Sequence, residues 1–154
     1  MTSPSPTALA NARESQAFWT PFVRLPDVHV WALIGNEAGE ASFLAHPVGD
    51  HGEAFGCFQW HLPRILDMVK GCGIDVRTAS HGQQIAAAHW EMTKGSYRKV
   101  WPALMATTTV EEAVTVLVRD FERSANQARD IPRRVALAQT WRDLLTSGKP
   151  RTSP

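Results

Sequence analysis

Cysteine is scarce in this chain: Cys57 and Cys72 are the two among 154 residues. That excludes a disulfide-framed scaffold, and each thiol reads as a small buried hydrophobe. No apolar run approaches the roughly 18–20 residues of a membrane span. Neither sign of charge is in excess, with 16 Lys and Arg against 15 Asp and Glu. The resulting net charge of +1 gives no electrostatic case for a nucleic-acid partner. Alternating strand patterns are rare, and no repeat, low-complexity tract or linker divides the chain. No helical His-Glu-x-x-His occurs among the six histidines. His46, Asp50, His51 and His61 lie close in sequence, but a loop His-x-x-x-Asp-His is a weak ligand pattern, so no metal or cofactor is expected.

What is present is helical periodicity. A chain of this length buries roughly two-thirds of its unfolded surface, so a single domain over 1–154 with short flexible ends is expected. Those ends are Ser3-Pro-Ser-Pro and Gly148-Lys-Pro-Arg-Thr-Ser-Pro. The pattern predicts a first helix over residues 7–22 and a second with Asp27 as N-cap, carrying Val28, Trp31, Leu33 and Ile34 toward Glu40. Further helices are predicted over 62–70, from the capping box Ser80-x-x-Gln83 through Met92, and over 96–105. Thr109-x-x-Glu112 opens a helix with an apolar stripe of Ala113, Val114, Leu117, Val118 and Phe121. Pro132 is read as starting the last helix, with Val135, Ala138, Trp141 and Leu145 inward and Gly148 at its end. Residues 41–60 are irregular, with turns at Gly49, Gly52 and Gly56 and room for at most a small hairpin within 44–60. The expected fold is mainly α, with an irregular loop or small β-hairpin.

One segment carries most of the chemistry. Gly35-Asn36 is followed by Glu40-Ala41-Ser42, then Val48-Gly49-Asp50, then Ala54-Phe55-Gly56-Cys57-Phe58-Gln59-Trp60, with Arg64 soon after. Later come a helix from Gln84 to Glu91, a segment over 110–123 ending Phe121-Glu122-Arg123, and an Arg/Ala-rich helix over 133–141. In this order the chain resembles the phage tail lysozyme family across roughly 28–145. That family lies within the lysozyme-like superfamily, which includes goose-type lysozymes and lytic transglycosylases. The sequence departs from the family pattern at Ala41, where Ser is commoner, at Cys57, which replaces an aliphatic residue, and at Glu37, an added acid. The resemblance implies a lysozyme-like helical domain with a catalytic loop, acting on the glycan strands of peptidoglycan.

Glycosidic cleavage needs a carboxylic acid that can donate to the leaving oxygen near neutral pH. Glu40, near the C-terminal end of its helix, is the candidate general acid. The helix dipole, burial against Trp31, Phe43, Phe55 or Trp60, and a like charge at Glu37 would all favour its neutral form. Glu37 itself is read as a surface or supporting residue. Asp50 or Glu53, on the loop, could activate a water, although a Gly-Asp turn residue also caps its own backbone. Without a second acid the sugar's own 6-hydroxyl can attack, as in lytic transglycosylases. Gln59 either binds an N-acetyl or hydroxyl group of the sugar or braces its turn. Gly56 would allow close approach of backbone to substrate or to the Glu40 helix. Trp60 is the stacking candidate for a sugar ring, while Trp31, Trp90 and Trp141 belong to the core. Glu122 and Arg123 could reach the cleft or form a structural ion pair.

The expected reaction is cleavage of the bond between N-acetylmuramic acid and N-acetylglucosamine. The N-terminus lacks the basic start and apolar core of a secretory signal, so another route to the wall is expected. Carriage in a virion with phage tail proteins is one such route; synthesis in the host cytoplasm before release is another. The competing expectation is an inactive structural tail or virion protein that keeps the lysozyme-like fold.

Overall fold

The computed structural model describes residues 3–49 and 52–147. Helix α1 (Pro6–Ala17) is capped by Ser5, whose hydroxyl accepts from the Ala8 amide at 3.1 Å. It continues into one wider π turn over Phe18–Phe22, where Val23 N donates to Phe18 O at 3.0 Å. Helix α2 (Asp27–Ala41) starts one residue differently from expectation. Pro26, already extended at ψ 147°, takes the cap position, and Asp27 becomes the first helical residue, its charge at the positive end of the dipole. Ser42 and Phe43 end α2 with left-handed φ values of 49° and 61°. That sharp reversal sends the chain away from the helix axis immediately after Glu40.

The irregular segment holds more sheet than a hairpin. Strands β1 (Val48–Gly49), β2 (Ala54–Phe55) and β3 (Trp60–His61) form a three-stranded antiparallel sheet in that order. The register pairs Val48 with Phe55 and Phe55 with Trp60. Helix α3 (Leu62–Cys72) comes next without a linker and ends on Gly73 at φ 75°. Helix α4 (His81–Thr93) carries the expected capping box between Ser80 and Gln83. Helix α5 (Val100–Met105) is shorter than the sequence suggests, because residues after Gly95 wind as tight turns, with Arg98 N bonded to Gly95 O at 3.1 Å. Helix α6 (Val110–Val116) opens on its Thr109–Glu112 capping box and runs into a second π turn, Leu117–Phe121.

Helix α7 (Gln127–Thr146) corrects the sequence reading of its start. Asn126, whose side chain accepts from Arg129 N at 3.2 Å, caps it well before Pro132, which sits inside the helix. An extra turn therefore brings Arg129 and Asp130 into the helix. The expected stop at Gly148 lies outside the described residues.

Helix α2 is the central element, buried along most of its length. Its closest neighbour is α7, and small residues make that possible. A Cβ on Gly35 would stand 2.5 Å from the Arg134 carbonyl and 2.7 Å from the Ala138 Cβ, so only glycine admits the contact. The core around this pair includes Leu33, Ile34, Phe43, Phe58, Trp60, Ile85 and Phe121, all fully buried. Cys57 is buried and Cys72 half-buried, and both are free thiols.

Candidate active site

The end of α2, the turn before β3, the segment just after the second π turn and the first half of α7 surround one open cleft of about 350 Å³. Glu40, Gln59, Arg64, Glu122 and Arg134 line it, with Asp130 and Arg133 at its α7 side. Two of the expected site residues, Glu40 and Gln59, thus share one cavity. Asp50 lies outside the described residues. Glu53 is exposed and lines a separate groove with Phe55, Leu62 and Arg77.

The surroundings of Glu40 differ from expectation. Phe43 is packed edge-on against Trp141, with ring centres 4.6 Å apart, and Trp60 is packed against Phe58. What meets the Glu40 carboxylate is the buried guanidinium of Arg134, in a close ion pair. The same guanidinium uses its other terminal nitrogen on Asn36, reaching Oδ1 at 2.6 Å and the backbone oxygen at 3.0 Å. The Asn36 amide nitrogen in turn donates to Glu122 Oε1 at 2.7 Å. Glu122, Asn36, Arg134 and Glu40 therefore form one hydrogen-bonded chain. Glu122 is delivered by the π turn of α6, whose backbone closes with Glu122 N donating to Leu117 O at 2.9 Å. Such turns insert one residue and rotate the chain beyond them, and they recur at functional sites.

Glu122 is half-buried, and its carboxyl is pushed up to about 8. Loss of water is the main cause, and the negative charge of Glu40 adds to it. Arg64, Arg134 and the Asn36 hydrogen bond pull the other way. Two carboxyl groups facing one cleft, one of them raised by burial, are a pairing also found in acid–base sites. From sequence, Glu122 is a candidate for the cleft or for an ion pair, and Arg134 has no assigned role. The Arg133-Arg134 pair in a polar last helix is the available signal, but which arginine faces inward depends on where α7 starts.

Trp60 is not a sugar platform: it is fully buried, and its Nε1 donates to Glu91 Oε2 at 2.9 Å. Arg64 grips the same Glu91 with two bonds of 2.7 and 2.8 Å and lies over the rings of Tyr97 and Phe121. This buried cluster holds β3 and α3 against α4. Gly56 likewise serves the interior, not the substrate. At φ 77° it brings the turn so near α4 that a Cβ would stand 2.7 Å from Gln84 Oε1 and 3.1 Å from the Trp60 ring. Gln84 accepts from Cys57 N at 2.8 Å and donates to the carbonyls of Ala45, Val76 and Ala79, tying the loop down. Gln59 does close its own turn, with Nε2 donating to Gly56 O at 3.0 Å, while it lines the cleft.

Glu37 is not at the surface. It is fully buried, accepting from Ser15 Oγ at 2.6 Å and facing His81 Nε2 at 2.5 Å. The other ring nitrogen of His81 meets Glu14 at 2.7 Å. Burial alone pushes His81 down, but its bonds and charges with Glu37 and Glu14 outweigh that and raise it. Glu37, Cys57 and His81 offer ligand atoms within 4.8 Å of one another. Both nitrogens of His81 are already engaged by carboxylates, and burial holds the Cys57 thiol well above its ordinary range. The group thus reads as a hydrogen-bonded strut between α1, α2 and α4.

A family model described as phage tail lysozyme matches residues 10–145. The chain belongs to the phage tail lysozyme family. Its mainly helical architecture with a small sheet is the lysozyme-like fold that membership implies. Membership also suggests a lysozyme-like peptidoglycan hydrolase. No curated protein and no solved structure matches the chain. Among the described residues, no helix is long and apolar enough to cross a membrane.

Proposed function

We propose that this protein is a muramidase, cleaving the bond between N-acetylmuramic acid and N-acetylglucosamine in peptidoglycan. Glu40 acts as general acid at the scissile oxygen. The observation that carries the reading is the meeting of Glu40, Gln59 and Glu122 in one open, polar cleft of a phage tail lysozyme family member. Gln59 is placed to bind a sugar substituent. Arg133, which lines the cleft and donates to the Gly39 carbonyl, favours a glycan bearing carboxylates, as peptidoglycan does through its lactyl and peptide groups, over neutral chitin. Asp50 remains the proposed loop carboxylate for water activation; if it takes no part, the 6-hydroxyl of the sugar attacks in its place. The biological setting we infer is local degradation of the bacterial wall during phage infection or lysis. There the protein would be carried in the virion beside tail proteins or made in the host cytoplasm before release.

Mass spectrometry of soluble fragments released from purified peptidoglycan by wild type and Glu40→Gln tests this. Reducing-end muropeptides from wild type alone support the muramidase. Products ending in 1,6-anhydro sugars make it a lytic transglycosylase. No release by either protein favours the inactive structural virion protein.

A further inference from the structure

Resting on the peptidoglycan reading of the cleft, we propose a second binding site beside it: a cationic groove at Tyr97, Lys99 and Arg123 that holds carboxylates of the strand's stem peptides. The groove has a volume of about 580 Å³ and is lined by Ser96, Tyr97, Lys99, Arg119, Asp120 and Arg123. It shares a wall with the cleft. Glu122 and Ser124 line the cleft, while Arg123 between them lines the groove. Arg64, a cleft residue, lies over the Tyr97 ring with its guanidinium carbon 4.4 Å from the ring centre. The segment 122–124 and the Arg64–Tyr97 stack thus form a sill between the two, which a side branch of a polymer in the cleft can cross.

Charge selects the ligand. Asp120, the acid of the groove, is already paired with Arg119 at 2.6 Å. Lys99 and Arg123 are exposed, and among the described residues neither side chain has a hydrogen bond or ion pair. Lys94 and Arg98, also exposed, flank the groove, and the nearby Asp67 accepts from the Ser96 hydroxyl at 2.7 Å. In a chain of net charge +1 this is a local excess of cations. The Tyr97 hydroxyl, likewise without a partner among the described residues, adds a neutral donor. A guanidinium, an ammonium and a phenol together suit an oxyanion. Peptidoglycan supplies carboxylates on the short peptides that branch from its muramyl sugars; neutral chitin has none.

The backbone at Arg123 points the same way. Arg123 follows the second π turn at φ 56°, and Ser124 N closes the helix end on Val118 O at 3.0 Å. Glycine is the usual residue at such an end, because a side chain there is strained. Arg123 takes this conformation with no bond from its side chain to offset the strain. It neither lines the cleft nor pairs with Glu122, so its guanidinium belongs to the groove. Backbone outliers of this kind cluster at ligand clamps.

Co-sedimentation with purified, phosphate-free peptidoglycan tests the site without relying on cleavage. Glu40→Gln, which leaves the strands uncut, is the parent for Arg123→Gly, Lys99→Gln and the double variant. Each is measured on intact material and on strands whose peptides an amidase has removed. We expect the Kd of the double variant on intact material to rise about tenfold at low salt, a difference that shrinks at high salt. On peptide-free strands the variants should bind nearly as the parent does. Arg123→Gly relieves the left-handed backbone, so its Tm should equal or exceed that of the parent while its binding weakens. A lower Tm with unchanged binding would make Arg123 structural and overturn the proposal. An unchanged Kd in the double variant, or an equal loss on peptide-free strands, overturns it too. Groove-dependent binding seen only with walls that still carry phosphate polymers assigns the groove to phosphate and overturns the carboxylate reading. A wild type that shows the expected binding but releases no fragments fails the glycosidase reading and leaves the groove standing. Fragment release with binding unchanged in the variants fails the groove alone.

Discussion

The Arg134 guanidinium closes over the Glu40 carboxylate from the facing helix, α7 onto α2. One planar group reaches Glu40 with one nitrogen and Asn36 with the other, which a lysine ammonium cannot do. Arg134→Lys should preserve charge and lose this fork. We expect peptidoglycan cleavage to fall by about 10- to 100-fold with helical content unchanged by circular dichroism. Full activity in Arg134→Lys would show that the fork does not place Glu40.

Close contact of α2 with α7 is what puts Arg134 there, and Gly35 permits it. Gly35→Ala gains about 1 kcal/mol of helix propensity but drives a methyl to 2.5 Å from the Arg134 carbonyl, a backbone atom that cannot swing aside. Overpacking of this kind costs roughly 1–3 kcal/mol. Thermal unfolding should therefore show a lower Tm and, because Arg134 moves with its backbone, activity should fall as well. An unchanged Tm would mean that separating the two helices costs no more than the helix propensity gained.

Much of this is legible in the chain itself. Capping boxes at Ser80–Gln83 and Thr109–Glu112 mark two helix starts because both partners of each box lie within one turn. Glu40 and Gln59 can be placed in one cleft from the spacing of a resembled family. Long-range pairing is not legible. Whether Trp60 stacks on a sugar or donates to Glu91 depends on a residue 31 positions away. Glu37 looks like a surface acid until Ser15 and His81 meet it from other helices. The π turn before Glu122 has no sequence signature, yet it sets the direction in which that carboxyl points.

Trp60 gives a test of that correction. Trp60→Phe removes the indole donor to Glu91 while keeping an aromatic ring in the same buried site. Leaving Glu91 one donor short costs on the order of 1–3 kcal/mol. Chemical denaturation should register this loss, and affinity for glycan fragments, measured by calorimetry on folded protein, should stay unchanged. A drop in affinity at equal stability would restore Trp60 to the binding surface.

His81 sets a pH limit on the fold. It stands between Glu14 and the fully buried Glu37, and those partners raise its pKa over the opposing effect of burial. A histidine with a higher pKa folded than unfolded binds more protons in the native state across the interval between the two values. Stability is then fully present below about 6.5, the ordinary histidine value, and is lost as pH rises through the raised folded value. Above it, a neutral His81 no longer offers Glu37 a counter-charge. Glu37 acts in the same direction, because burial raises its carboxyl against the pull of His81. Tm measured from about pH 6 to about pH 9 should fall steadily in wild type. In His81→Gln it should start lower and change less over that interval, since the titrating group is gone. Parallel curves for the two proteins would show that His81 takes up no extra proton on folding and that Glu14 and Glu37 do not raise it.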